Sequence, residues 1–185
     1  MITTQHLLHN VGLARQRYLD AVADLDETAA QWEPAPDQWS AVDITEHLFW
    51  AEQGGILGMW KTLLGIRAGT VSYEGVGPND DLTIEEVIRR TWQEKELVPA
   101  VAAPRMGGPL AYWSSALHGL QTSLTDFCAI LQEDDLLRKA HPHPISGLMT
   151  FGQRLEFLRF HIDRHRSQVE ALKSLWAAHG IHQSI

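Results

Sequence analysis

The stretch TFGQRLEFLRFHIDRHRSQVEALKSLWAA, residues 150–178, decides the fold. Phe151, Leu155, Leu158, Ile162, His165, Val169, Leu172 and Trp176 recur every three or four residues, the period that lays one apolar stripe along an α-helix. Thr150 followed three residues later by Gln153 is a capping-box pattern, in which each side chain binds the other residue's backbone N–H. The spacing predicts a helix from Thr150 to about Ala178, with Gly180 as its stop. Such a helix needs other apolar faces to cover its stripe.

The rest of the chain supplies them. Leu7, Val11, Ala14, Tyr18, Ala21, Val22 and Leu25 form one stripe, predicting a helix from about Thr3 to Leu25 that ends into the proline-rich loop WEPAPDQWS. Ser40 with Asp43 is a second capping box, opening a helix to about Ala68 with Ile44, His47, Leu48 and Ala51 on one face. Gly54, Gly55 and Gly58 inside it each cost up to about 1 kcal/mol relative to alanine, which points to either a close approach of another backbone or a bend. AGTVSYEGVGPNDD reads as a loop, and Thr83 with Glu86 starts a shorter helix expected to reach about Leu97. Pro99, Pro104, Gly107 and Gly108 then break the chain, and Pro109 occupies the first position of a helix carrying Trp113, Leu117, Leu120, Leu124, Phe127 and Leu131. HPHPISG is a loop before the final helix. No segment alternates as a half-buried strand does. The expectation is an all-α fold: a four-helix bundle with long connections and one extra short helix on its outside, forming a single domain over residues 1–185.

Composition excludes several functions. With 23 acidic against 15 basic side chains and a net charge of −8, the protein's field repels phosphate backbones and anionic headgroups, so nucleic acid is not an expected partner. No apolar run reaches the roughly 18 to 20 residues of a membrane span, because Glu46, His47, Glu52, Gln53 and Lys61 interrupt the richest stretch. One cysteine, Cys128, rules out an intramolecular disulfide, and MITTQHLLHNVGLARQ lacks a secretory pattern, so a cytoplasmic location is expected. Cys128, beside Phe127 and Leu124, reads as a small core residue. Seven tryptophans lie mostly near helix ends or in loops, either sealing the bundle or lining a pocket.

The histidines carry the chemistry. His161 and His165 share a helix face, the spacing by which a helix offers two nitrogens to one metal ion. Ten histidines in 185 residues supply about half of one such pair by chance, so context decides. His165 is on the buried stripe with His161 beside it, and His47 lies on the stripe of the second helix. A buried imidazole left unsatisfied costs on the order of 1 to 3 kcal/mol, so the two in one layer call for a shared partner, and a bundle can bring the facing helix of His47 to such a layer. Three neutral imidazoles leave room on a metal for water or substrate. His6, His9, His179 and His182 read as solvated, His118 as at most flanking a pocket, and His141 and His143 as loop residues. Gln168, one turn past His165, reads equally as a partner of a ligand histidine or substrate and as a surface amide. Asp43 is explained by its capping position, and Glu46 and Asp163 point away from the stripe.

The segments PAPDQWSAVDITEHLFWAE and HPISGLMTFGQRLEFLRFHIDRHRSQV resemble the DinB/YfiT superfamily of metalloenzymes, in its DinB-like domain group. The matching positions are Pro36, Trp39, Ser40 and His47, then His143, Pro144, Gly147, His161, His165 and Gln168, within a likeness that runs from about Gln5 to Leu175. The loop HPHPISG offers two histidines for the family's one loop position. The resemblance implies a four-helix bundle, often a homodimer, whose metal ligands are His47, His161 and His165. The ion expected is divalent, zinc or nickel, with at least one open coordination position. The implied function is a metal-dependent enzyme acting on a small molecule, either by metal-bound water as a hydrolase or with a metal-activated low-molecular-weight thiol as an S-transferase. The alternative is a noncatalytic bundle, stress-related, that binds a metal or ligand without turning it over. No particular residue is singled out as a catalytic acid or base.

Overall fold

Four long amphipathic segments fold into four long helices. The computed structural model describes residues 3–93 and 97–183, with 180–183 as backbone only. The long helices are α1 (Thr4–Val22), α3 (Ala41–Arg67), α5 (Leu110–Ile130) and α6 (Phe151–Gln183); between them lie the short α2 (Glu27–Gln31) and α4 (Ile84–Thr91) and a 3-10 turn at Glu133–Leu137. Among the described residues there is no strand, only the isolated bridges Lys139 with Thr150 and His143 with Gly147. None of the described helices is long and apolar enough to cross a membrane.

The stripes pack as their periods require. α6 lies chiefly along α1 and α5 along α3, while α1 with α5 and α3 with α6 close the bundle. Val11, Ala14 and Tyr18 meet Leu48, Met59 and Leu63, Leu117, Leu124 and Phe127, and Leu155, Ile162 and Val169 in one core. Burying such side chains is worth roughly 1.5–3 kcal/mol each, which sets the helix arrangement. Cys128 lies in this core, where burial pushes its thiol up to about 12. The core also holds a charge pair absent from any stripe: Arg15 and Glu52, 2 % and 0 % exposed, form an ion pair, and Arg15 also binds Gln121. Burial raises the Glu52 carboxyl and the guanidinium opposes it.

Caps place the helix starts. Ser40 and Asp43, and Thr83 and Glu86, form reciprocal capping boxes. Thr150 and Gln153 do the same, through Thr150 N to Gln153 Oε1 at 2.9 Å and Gln153 N to Thr150 Oγ1 at 3.1 Å. Asp26 caps the short α2 through the Ala29 amide, a helix that the spacing of apolar residues does not announce. Pro109 is the N-cap of α5 rather than its first helical residue.

Other boundaries differ from the sequence expectation too, α1 ending at Val22 rather than near Leu25. α4 ends at Thr91 rather than near Leu97, and residues 94–96 of that expected helix lie outside the described residues. Trp92 leaves the helix in an extended conformation and sets its indole edge-on to Phe157, 5.4 Å between ring centres, so packing overrides local propensity. α6 continues through Gly180 to Gln183; a lone glycine costs a helix only about 1 kcal/mol and does not end it unaided. As expected for a short outer helix, α4 rests on α6, burying Ile84 and Val87 with Met149 and Phe157.

Gly54 and Gly58 of α3 resolve differently from one another. The helix is continuous over 27 residues. A Cβ on Gly58 would lie 2.3 Å from His141 Cε1, so the close approach is by an imidazole rather than a backbone, while Gly54 faces open space.

Candidate metal centre

α3 and α6 converge where the capping boxes aim them. Ser40 starts α3 so that His47, two turns in, faces the interior, and Thr150 starts α6 so that His161 and His165 face α3. His47 Nε2 is 3.3 Å from His161 Nε2, and His165 Nε2 is 3.1 Å from the same atom. The ligand atoms of all three lie within 4.8 Å of one another. His47 and His165 are buried at 5 % and 7 % exposure, and His161 is half-buried.

The far side of each ring sets its tautomer. His47 Nδ1 donates to the Ala102 carbonyl at 2.8 Å, and His165 Nδ1 donates to Gln168 Oε1 at 2.9 Å. Both therefore present an Nε2 lone pair to the centre. Burial pushes the His47 imidazole below its usual range. Burial, then the neighbouring His47, holds His165 down to about 3. His161 is pushed well below the usual value by burial first and then by His165 and His47. All three are neutral imidazoles at pH 7, the form that ligates a metal.

This donor set fits a divalent metal ion. Metal–nitrogen bonds of about 2.0–2.1 Å hold adjacent nitrogens about 3.3 Å apart at a tetrahedral centre and about 2.9 Å apart at right angles. The two separations of 3.1 and 3.3 Å lie within that span. Two inward lone pairs on one third nitrogen also repel unless a proton or a cation lies between them, and a cation serves all three at once. The cluster can thus hold a metal ion, with nitrogen ligands that suit zinc and nickel.

Aromatic rings border the cluster. Trp39, just before the Ser40 cap, lies 4.9 Å from the His47 ring, Trp92 lies 6.4 Å from the His161 ring, and Phe157 stacks on His161 at 6.1 Å. Tryptophans also seal a bundle end, where Trp32 meets Trp176 at 5.4 Å.

The remaining candidates sort by contact. Gln168 proves to be a partner of His165. Asp43 spends its carboxylate on the Ser40 cap. Asp163 pairs with Arg17 at 3.1 Å, away from the cluster. His143 accepts from the Ile145 and Ser146 amides and packs its ring at a tilt against Phe157, and His141 lies over Gly58 with Arg154 Nη2 donating to its Nε2 at 3.2 Å. Neither joins the cluster. His6, His9 and His118 are exposed, whereas His179 is half-buried against Trp32 and Trp176 rather than solvated. The side chain of His182 lies outside the described residues. Two features escape the sequence: the Ala102 carbonyl, which is a backbone group and has no residue signature, and the complete burial of Glu46.

The comparisons agree with this architecture. The crystal structure of a conserved protein from Enterococcus faecalis has the same fold, with TM-score 0.57 and 15 % identity, covering 95 % of this chain and 97 % of that one. No curated protein matches the sequence. The family model of the DinB superfamily matches residues 11–169, which include His47, His161 and His165 and make up most of the chain, and the protein therefore belongs to the DinB superfamily.

Proposed function

We propose that this protein is a metal-dependent enzyme acting on a small molecule, with His47, His161 and His165 as the ligands of a zinc or nickel ion. One observation carries the reading: the Nε2 atoms of His47 and His165 stand 3.3 and 3.1 Å from that of His161, all three ligand atoms lie within 4.8 Å of one another, and the outer nitrogens of His47 and His165 are tied off. When bound, such an ion supplies Lewis acidity at an open position, enough to bring the pKa of water toward about 7 or to deprotonate a thiol. That supports hydrolysis of a small substrate or transfer to a low-molecular-weight thiol.

The chain's own residues do the rest. The Ala102 carbonyl and Gln168 hold two imidazoles in the ligating tautomer. His161 is the half-buried member, so solvent and substrate reach the cluster on its side. The rings of Trp39, Trp92 and Phe157 limit water there and offer apolar surface to a substrate. Metal analysis of protein purified without an affinity tag tests the assignment. About one ion per chain is expected, lost in His161→Ala. Substoichiometric metal that the substitution leaves unchanged would overturn it. A screen of the loaded protein against thiols with electrophiles, and against simple esters and amides, then separates the two chemistries.

A further inference from the structure

Glu46 immediately precedes His47 on α3 and is completely buried, at 0 % exposure. A carboxylate taken out of water is costly unless its lone pairs are satisfied. Here they are. Oε1 accepts from Trp50 Nε1 at 3.0 Å and from the backbone amides of Arg105 and Met106 at 2.9 Å each. Oε2 accepts from the Gly107 amide at 2.9 Å and shares that of Met106 at 3.2 Å. Three consecutive amides of one loop thus converge on one carboxylate. The chain turns there through Gly107 and Gly108, at φ 62° and 97°, a left-handed conformation that suits glycine. Trp113 Nε1 secures the far side through the Gly107 carbonyl at 2.7 Å.

The same loop meets the centre three residues earlier. Ala102, whose carbonyl takes the His47 Nδ1 proton, precedes Arg105 by three positions. Consecutive residues of α3 therefore grip one loop at two points, Glu46 by its amides and His47 by a carbonyl. Loop backbone groups of this kind are mobile unless tied down. The tie is the Glu46 carboxylate.

We propose that Glu46 is a positioning residue for the centre: by clamping the Arg105, Met106 and Gly107 amides it holds the Ala102 carbonyl against His47 Nδ1, and so keeps His47 Nε2 free to ligate. Glu46 touches no ligand atom and acts only through the loop. The effect on metal binding rests on the metal reading above, whereas the effect on the His47 tautomer does not.

The test is Glu46→Gln, which keeps the shape but sets an amide N–H2 against loop N–H donors. Nitrogen NMR of the histidine rings in the metal-free protein should find His47 as a single Nδ1–H tautomer in the parent and as a mixture in the variant, with His165 unchanged. Zinc affinity by chelator competition should fall about 10- to 100-fold, the range for losing a group that orients a ligand. Unchanged His47 tautomer in a folded variant overturns the proposal, and so does an equal disturbance of His47 and His165, which marks a general loss of structure. If the parent binds no zinc, the metal reading fails while the tautomer result still decides the role of Glu46. Should Glu46→Gln not fold, hydrogen exchange on the parent decides. The Arg105, Met106 and Gly107 amides should be protected although they lie outside any helix, and exchange at the unprotected rate would sink the idea.

Discussion

At the residue scale the centre depends on lone pairs kept free by partners behind the rings. A neutral imidazole has one N–H and one lone pair, so a carbonyl that takes the N–H of His47 directs its lone pair inward. Gln168 does this for His165 although it is itself exposed. We expect Gln168→Leu to weaken zinc binding about 10-fold, toward the low end for such partners because water can replace the lost amide oxygen. Chelator competition measures it, and affinity within twofold of the parent would remove Gln168 from the site. The residue pattern made His161, His165 and His47 visible because each lies on or beside an apolar stripe. Gln168 could not be resolved in the same way. A glutamine at the edge of a helix face has the same spacing whether its amide meets a histidine or water.

At the element scale α3 carries glycine where a loop ring packs against it. The His141 imidazole lies over the Gly58 backbone, and a Cβ there would sit 2.3 Å from it. Gly58→Ala must displace the ring and its contact with Arg154, and we expect a loss of about 1–3 kcal/mol, the usual cost of overpacking. Gly54→Ala, four residues away and facing open space, should instead gain up to about 1 kcal/mol from helix propensity. Denaturant midpoints of the two variants should therefore move in opposite directions, and a shared direction would refute this account of the loop ring's packing on α3. Helix starts were legible because a capping box is a local pattern with its own hydrogen bonds, as at Ser40, Thr83 and Thr150. Helix ends were less so. Trp92 leaves α4 for a ring on α6, a partner far along the chain.

At the scale of the whole molecule, half-buried histidines link folding to pH. Burial, then the Arg154 guanidinium, lowers His141 to about 4, and burial with Arg154 and His141 lowers His143 to about 3. In the unfolded chain both titrate near their ordinary value of about 6.5. The unfolded state therefore binds more protons below that value, and this contribution to stability is complete above about pH 6.5 and is lost as pH falls toward 4 and 3. The histidines of the centre act with the same sign in the metal-free protein. We expect the denaturant midpoint of metal-free protein to fall from pH 7 to pH 4.5. The slope should be shallower in His143→Asn, whose side-chain oxygen can still accept from the Ile145 and Ser146 amides; an unaltered slope would exclude His143 as a contributor. By itself the sequence determined the all-α class, the four long helices, the capped starts of α3, α4 and α6 and the inward set of three histidines, because periodicity and capping are local and a stripe must be buried. Only the tertiary structure decided that Arg15 and Glu52 share the core, that Gly58 admits an imidazole, and that the Ala102 carbonyl and Glu46 stand behind His47. Each of these joins residues distant in the chain, and a polar group's burial depends on a partner that no local spacing names.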